Sequence, residues 1–362
     1  MIVGVLGGGQ LGRMLALAGY PLGLRFRFLD PSPEAPAGHL APCLTGNYDD
    51  QEALESFTSG LSVVTYEFEN VPASSVGFLA ERLPVYPPPE ALEVAQDRLS
   101  EKTLFRKLGI PVPPFAPIDT PEDLQSALER IGLPAVLKTR RFGYDGKGQV
   151  VLHRPEDAAP ALHALGGRNL ILEGFVAFER EVSILAARGR SGATVFYPLV
   201  ENQHAGGILR ISLAPAPNLT PELQAQAQDY AARVLEALDY VGVLAIELFQ
   251  REGQLLANEM APRVHNSGHW TIEGAETSQF ENHLRAVQGL PLGSTAARGH
   301  AAMLNLIGTT PEPAAVLAVP NAHLHLYGKS PRPGRKLGHV TLRADDPASL
   351  EAHLTELRRL IP

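Results

Sequence analysis

The segment Leu137-Lys-Thr-Arg-Arg-Phe-Gly-Tyr-Asp-Gly-Lys-Gly-Gln-Val150 decides how the rest of the chain is read. Apolar runs flank it, Pro134-Ala-Val-Leu137 before and Val150-Val-Leu152 after. Between them stand three glycines and four cations with no apolar periodicity. The pattern predicts strand, glycine-rich loop, strand. Glycines let a backbone approach a ligand and turn its N–H groups inward, while Lys and Arg supply charge. Phosphate oxygens use both. A solvated hairpin with a cationic rim is the competing reading, although an exposed turn has little use for glycine at 143, 146 and 148.

Outside this segment the totals bound the answer. A length of 362 residues predicts two or three domains, and 44% hydrophobic with 19% charged residues predicts a globular protein with a sizeable core. A net charge of -8 argues against nucleic acid as a general partner. Cys43 is the sole cysteine, which excludes an internal disulfide and CxxC-type zinc sites and makes a reducing cytoplasm the expected setting. No apolar run approaches the ~18 residues of a membrane span. Gln10 and Arg13 interrupt the N-terminal apolar stretch, so no signal peptide and no membrane partner are expected.

Upstream, Met1 to Leu6 reads as a strand, Gly7-Gly-Gly-Gln-Leu-Gly12 as a tight turn, and Arg13 to Ala18 as a helix. With the strand Phe26-Arg-Phe-Leu-Asp30 this satisfies a dinucleotide fingerprint, although the same turn serves any βαβ unit whose helix packs closely on its strand. Leu61 to Thr65 predicts another strand, after which Glu67 and Glu69 face either a crevice or solvent. Tyr86-Pro-Pro-Pro89 marks a domain boundary. A helical stretch from Glu90 to Leu108 follows, in which Asp97, Arg98, Leu99 and Lys102 face either a site or water. Pro111-Val-Pro-Pro114 then opens a second compact unit, with a helix over Pro121 to Ile131 and the central strand–loop–strand, which together suggest a small mobile lid. Asn169 to Glu173 and Glu181 to Leu185 are further strands, joined through the turn Gly174-Phe-Val176. His204 has polar neighbours, so it is either structural or a site residue. Thr220 caps a helix with Pro221 in its first turn, and Leu223, Ala227, Tyr230, Ala231, Val234, Leu235 and Leu238 share its core face.

Ala245-Ile-Glu-Leu-Phe249 and Leu255-Leu-Ala-Asn-Glu259 predict a hairpin. If it is symmetric about Gly253, Glu247 lies opposite Glu259 on one face. Facing carboxylates repel unless a cation sits between them, and Mg²⁺ bridging to phosphates is the natural occupant. A bulge turning one acid to solvent is the alternative. The dense polar run Ala261-Pro-Arg-Val-His-Asn-Ser-Gly-His-Trp270 follows, and a helix from Glu273 to Gln288 ends at Gly289. A small terminal β unit carries Lys329, Arg332, Arg335 and Lys336, four cations in eight residues, which predicts an anion site or a solvated turn.

Taken together, Gly7 to Gly12, Thr65 to Glu69, Gly143 to Gln149, Asn258 to Arg263 with His265 to His269, and Arg335 to His339 resemble the ATP-grasp superfamily. Within it they resemble the N5-carboxyaminoimidazole ribonucleotide synthases of purine biosynthesis. Phe142 departs from this pattern, since many members have glycine there. The resemblance implies a mixed α/β (α+β) ATP-grasp fold with a Rossmann-like N-terminal domain over residues 1–89. An ATP-grasp domain would follow over 90–293, with its lid at about 112–172, and then a small C-terminal domain over 294–362. It implies carboxylation of 5-aminoimidazole ribonucleotide with bicarbonate, driven by ATP and Mg²⁺ through carboxyphosphate, in a cytoplasmic homodimer. Arg98 and Lys138 then resemble the residues on the ATP phosphates, and Gly143, Tyr144, Asp145, Gly146, Lys147, Gly148 and Gln149 the lid loop. Glu173, Gly174, Phe175 and Val176 resemble the adenine hinge, Glu181 a ribose acceptor, and His204 and Asn258 further nucleotide contacts. Glu247 and Glu259 match the metal ligands, Glu259 also contacting ATP. Arg263, His265 and Asp145 resemble catalytic groups. Gln10, Leu11, Tyr144, Asp145, Asn266, Lys329 and Arg335 resemble the ribonucleotide pocket, with Lys329 and Arg335 suited to its phosphate. Another ATP-grasp carboxylase or formyl-phosphate ligase would share the ATP half, and a dinucleotide-binding oxidoreductase would rest on the first thirty residues alone.

Overall fold

The computed structural model describes residues 1–143 and 146–361, among which three sheets are present. The first is parallel, in the order β3-β2-β1-β4, with β1 Ile2–Leu6, β2 Arg25–Asp30, β3 Cys43–Thr45 and β4 Val63–Tyr66. Of its inner strands, β1 (IVGVL) is wholly apolar and nearly all buried, whereas β2 (RFRFLD) carries Arg25, Arg27 and Asp30 beside its buried Phe26, Phe28 and Leu29. The helix after β1 runs Gln10–Gly19, three residues earlier than the expected start at Arg13. Its first turn is capped from a distance. The Glu67 carboxylate accepts from the backbone N–H of Gly9 and, at 2.6 Å, of Gly12. Those are orphan donors of a helix N-terminus, so a well-placed carboxylate extends the helix backwards into the glycines.

Two helices expected as continuous are broken, and in both cases a short polar side chain competes for the backbone. Residues 90–108 form Pro89–Ala95 and Arg98–Lys107, separated where Asp97 accepts from Leu99 N–H at 2.9 Å. Residues 273–288 form Thr271–Gly274 and Gln279–Gln288, with Ser278 capping the second through Glu281 N–H at 3.1 Å. Asp and Ser favour caps over helix interiors for this reason.

The second sheet is β5-β8-β6-β7, from β5 Phe115–Ile118, β6 Ala135–Thr139, β7 Gln149–Leu152 and β8 Leu170–Gly174. The helix Pro121–Ile131, closed by a Thr120/Asp123 capping box, packs on it. The third and largest sheet runs β14-β13-β9-β11-β12-β15-β17-β16, with β10 on the flank of β9. Its strands are β9 Arg180–Arg188, β10 Thr194–Phe196, β11 Val200–Ala205, β12 Ile208–Ala214, β13 Gly242–Arg251, β14 Gln254–Ala261, β15 His300–Ile307, β16 Ala322–Leu326 and β17 Lys336–Ala344. The terminal strands therefore extend the central sheet, through Ala214 opposite Ala301 and Leu213 opposite Ala302. Helix Pro221–Ala237 lies on this sheet by the face expected of it, with Leu223, Ala227, Tyr230, Ala231, Val234 and Leu235 buried against Ile184, Ile246 and Leu248. Among the described residues no helix is long and apolar enough to cross a membrane.

Candidate active site

The two glutamates of the β13–β14 hairpin do face one another, by a route the sequence did not reveal. The turn is the pair Glu252-Gly253, both at positive φ (52° and 73°), which closes a two-residue hairpin. Pairing runs from Arg251 opposite Gln254 to Leu248 opposite Ala257, a register centred between residues 252 and 253. Continued unchanged, it would set Glu247 against Asn258, so the expected symmetry about Gly253 is corrected. An irregularity beyond Leu248 leaves Asn258 as the extra residue and brings Glu259 opposite Glu247. The bulge thus restores the carboxylate pair. Burial and the charge of Glu259 push Glu247 up to about 7, the direction expected of two carboxylates that share a site. Arg98 Nη2 lies 3.6 Å from Glu259 and His265 Nε2 lies 3.4 Å from Glu247. Among the described residues no group of three or more His, Cys, Asp or Glu side chains is arranged to hold a metal by itself. Two hard oxygen donors fit an ion that takes its remaining ligands from phosphate and water, as Mg²⁺ does.

These residues line a cleft of about 510 Å³ between the second and third sheets. Lys138, Gly143, Gly146, Lys147 and Gln149 border it from the smaller sheet, and Glu173 to Val176 form the strand end that joins the two. Glu181, His204, Asn258, Arg263, His265 and Asn266 contribute from the larger sheet and the segment after it. Gly148 stays out of the lining. At φ 73°, with Thr139 Oγ1 2.7 Å from where a Cβ would stand, it admits only glycine. Phe142 is also left-handed, at φ 62°, a conformation that glycine adopts at less cost. Tyr144 and Asp145 lie outside the described residues.

Charge within the cleft is organised around buried anchors. Glu173 Oε2 takes Lys138 Nζ at 3.0 Å and Lys102 Nζ at 3.2 Å. Burial would raise the Glu173 pKa, but the two ammonium charges hold it down at about 2. Lys102 is 1% exposed and lies outside the cleft lining, so it faces neither water nor the cleft and instead sits behind Glu173. Asp97 pairs bidentately with Arg140 at 3.0 and 2.6 Å. His204 contacts Glu181. Burial disfavours its cation, yet the Glu181 hydrogen bond and the charge of Glu247 leave its pKa raised.

At the opposite end Glu69 pairs with Arg263, and both turn into the cleft. Glu67 is buried at the glycine turn, and Asp30 takes the N–H of Gly8 at 2.8 Å. A dinucleotide pyrophosphate needs those same N–H groups. The protein's own carboxylates hold them, so the dinucleotide reading fails. Gln10 and Leu11 line the cleft, and Lys329 reaches Gln10 Oε1. Burial pushes Lys329 down to about 8, against the pull of Glu67. Arg335 donates to Ser330 O at 3.1 Å and lies outside the lining, which its neighbour Lys336 enters. Sequence reasoning missed the polar shell behind Arg263 and His265. Gln279 holds the His265 backbone at both ends, accepting from its N–H at 2.9 Å and donating to its carbonyl at 2.6 Å. Asn266 and Asn305 exchange amide hydrogen bonds at 3.0 and 2.7 Å. Each of these partners is distant in sequence, and no local pattern marks them.

A small sheet whose glycine-rich segment borders a cleft that carries paired acids on the large sheet defines an ATP-grasp enzyme. Residues 103–280 match the ATP-grasp domain model, residues 1–96 the ribonucleotide synthetase preATP-grasp domain, and residues 301–353 the phosphoribosylaminoimidazole carboxylase C-terminal domain. The chain is 58% identical to the N5-carboxyaminoimidazole ribonucleotide synthase of Pseudomonas aeruginosa, over 100% of this chain and 99% of that one. It superposes with a TM-score of 0.97 on the crystal structure of the synthetase from Thermus thermophilus, at 65% identity, covering 99% of this chain and 98% of the other. The synthase of Aspergillus clavatus, solved in complex with ADP and 5-aminoimidazole ribonucleotide, gives 0.93 at 33% identity, covering 99% and 98%. The chain belongs to the N5-carboxyaminoimidazole ribonucleotide synthase family, ligases of purine biosynthesis.

Proposed function

We propose that this chain joins bicarbonate to the exocyclic amine of 5-aminoimidazole ribonucleotide with cleavage of ATP to ADP and phosphate. The observation that carries the reading is the Glu247/Glu259 pair, opposite one another at the floor of a cleft with ATP-type cations at one end and Lys329, Lys336 and Arg263 toward the other. Bicarbonate is a poor electrophile. Transfer of the γ-phosphoryl group gives it a leaving group, and the amine then displaces phosphate from the carboxyl carbon and loses a proton. Mg²⁺ held by Glu247 and Glu259 would neutralise charge on the transferring phosphoryl group.

The chain's own residues bind and orient. Arg98 and Lys138 take the phosphates. The Glu173 to Val176 strand end meets the base, Glu181 the ribose, and His204 and Asn258 complete the nucleotide contacts. Residues 143–149, Tyr144 and Asp145 included, close over the reaction and exclude water from carboxyphosphate. Arg263, His265 and Asp145 hold the reacting carboxyl group. Gln10, Leu11 and Asn266 border the ribonucleotide, and Lys329 and Arg335 hold its 5′-phosphate, Arg335 turning from the Ser330 carbonyl to do so. We assign residues 1–89, 90–293 and 294–362 as the three functional units, with 112–172 as the lid, in a cytoplasmic homodimer.

Phosphate release should be slow with bicarbonate alone and should rise on addition of the ribonucleotide, because an occupied acceptor pocket lets the lid close productively. Arg335→Ala should weaken the ribonucleotide about ten- to a hundredfold while Mg-ATP binding persists, the loss typical of one charge-assisted contact. Equal losses toward both substrates would put Arg335 in the nucleotide site, and no response to the ribonucleotide would refute the reaction.

A further inference from the structure

The bulge that brings Glu259 opposite Glu247 is held from outside the sheet. Strand β14 is an edge strand, so half of its backbone groups point away from β13. On a regular antiparallel strand those outward groups recur at every second residue. Ala257 is outward, its N–H donating to Pro111 O at 2.8 Å and its carbonyl accepting from Lys102 Nζ at 3.4 Å. Regular alternation would make Glu259 the next outward residue. Instead it is Met260, whose N–H donates to Glu101 Oε1 at 2.5 Å. A spacing of three in place of two is the extra residue of the bulge. The effect on the side chains is direct. Asn258 and Glu259 both line the cleft, while Leu255, Ala257 and Met260 pack into the core under helix Pro221–Ala237, Met260 also reaching the cleft wall. Without the extra residue, Glu259 would follow Ala257 toward the core. Glu101 and Met260 are both buried, so bulk water does not substitute for Glu101 at that N–H.

We propose that Glu101 is a positioning residue that fixes the register of β14 across its bulge, and through that register the place of Glu259 in the cleft. Pro111 and Lys102 hold the strand before the extra residue and Glu101 holds it after, so the bulge cannot migrate along the edge. The same helix, Arg98–Lys107, also sets Arg98 3.6 Å from the Glu259 carboxylate. The bond to Met260 needs an acceptor oxygen and not a charge, since a carboxylate, a carboxylic acid and the amide of Gln all carry one. That this register serves Mg²⁺ rests on the metal role given to Glu259 above; the clamp on the strand does not.

The test compares Glu101→Gln, which keeps an acceptor, with Glu101→Leu, which removes it at similar volume. Amide hydrogen exchange of the full chain is read by NMR, and Mn²⁺ is titrated into enzyme with ADP and followed by water proton relaxation. In wild type the Met260 amide should exchange as slowly as the ladder amides of β13, although it lies on a sheet edge. Glu101→Leu should free that amide and weaken Mn²⁺ about 10- to 100-fold, the usual cost of an outer hydrogen-bond partner of a metal ligand, while the KM for the ribonucleotide at saturating Mg²⁺ holds. Glu101→Gln should keep both the slow amide and the Mn²⁺ affinity. Equal losses in the two variants would assign the effect to the charge of Glu101 and overturn the proposal, as would full Mn²⁺ affinity in Glu101→Leu. Should Glu101→Leu fail to fold, the amide decides the matter: slow exchange in wild type and in Glu101→Gln supports the clamp, and exchange at the rate of an open edge overturns it. Wild type that binds no Mn²⁺ with ADP would count against the metal role of Glu259, and a Met260 amide freed only in Glu101→Leu would still establish the clamp.

Discussion

Glu173→Gln should weaken the attachment of the small sheet to the body of the enzyme by several kcal/mol. Glu173 sits on β8, pairs with Lys138 on β6, and shares the same oxygen with Lys102 from helix Arg98–Lys107 beneath the cleft. Its pKa is held from the ordinary 4.5 down to about 2, and at about 1.4 kcal/mol for each pH unit this represents roughly 3 kcal/mol. Removing one partner of a buried ion pair costs about 3–5 kcal/mol by a separate route, because the remaining charge stays buried. The two agree because Lys102, 1% exposed, has nowhere to go. Urea unfolding at neutral pH would read the loss. Hydrogen exchange would locate it in β6, β8 and the 98–107 helix. A carboxylate with a depressed pKa contributes stability that is complete above its unfolded pKa and disappears as pH falls through its folded one. The wild-type advantage should therefore shrink between pH 4.5 and about 2. Adding Lys102→Met should recover much of the deficit by removing the stranded cation. A Glu173→Gln enzyme within about 0.5 kcal/mol of wild type, the range of ordinary surface changes, would refute the reasoning, as would a double variant less stable than the single.

Glu247→Gln and Glu259→Gln should each keep the fold and abolish most ATP turnover, with the double variant scarcely worse, since both acids serve one ion; full phosphate release in either single variant would remove that residue from the metal site. Glu67→Ala should cost about 1–3 kcal/mol in thermal unfolding by stranding the N–H groups of Gly9 and Gly12, and an unchanged melting profile would mean that the carboxylate does not hold the turn.

What the sequence determined by itself is what neighbours in the chain decide. The capped helix at Thr120–Pro121, the apolar face from Leu223 to Leu238 and the strand–loop–strand around Gly143 to Gly148 were legible because spacings of a few residues set backbone geometry. The two glutamates were legible as a pair because a hairpin converts sequence symmetry into proximity, although the half-residue error in the turn shows how narrowly. A one-residue slip in a strand reverses every side chain, and only the bulge at Asn258 corrected it. The resemblance to a known family named the rest of the cleft without explaining it. Tertiary structure alone decided which charges are buried. Lys102 was indistinguishable in sequence from a solvated helix lysine until β8 set Glu173 against it. The glycine turn was indistinguishable from a dinucleotide site until Glu67, 55 residues beyond Gly12, took its N–H groups. The Glu101–Met260 bond spans 159 residues. Burial multiplies the worth of a polar contact, and burial belongs to the packed chain, so the partners that orient the site had no local signature to read.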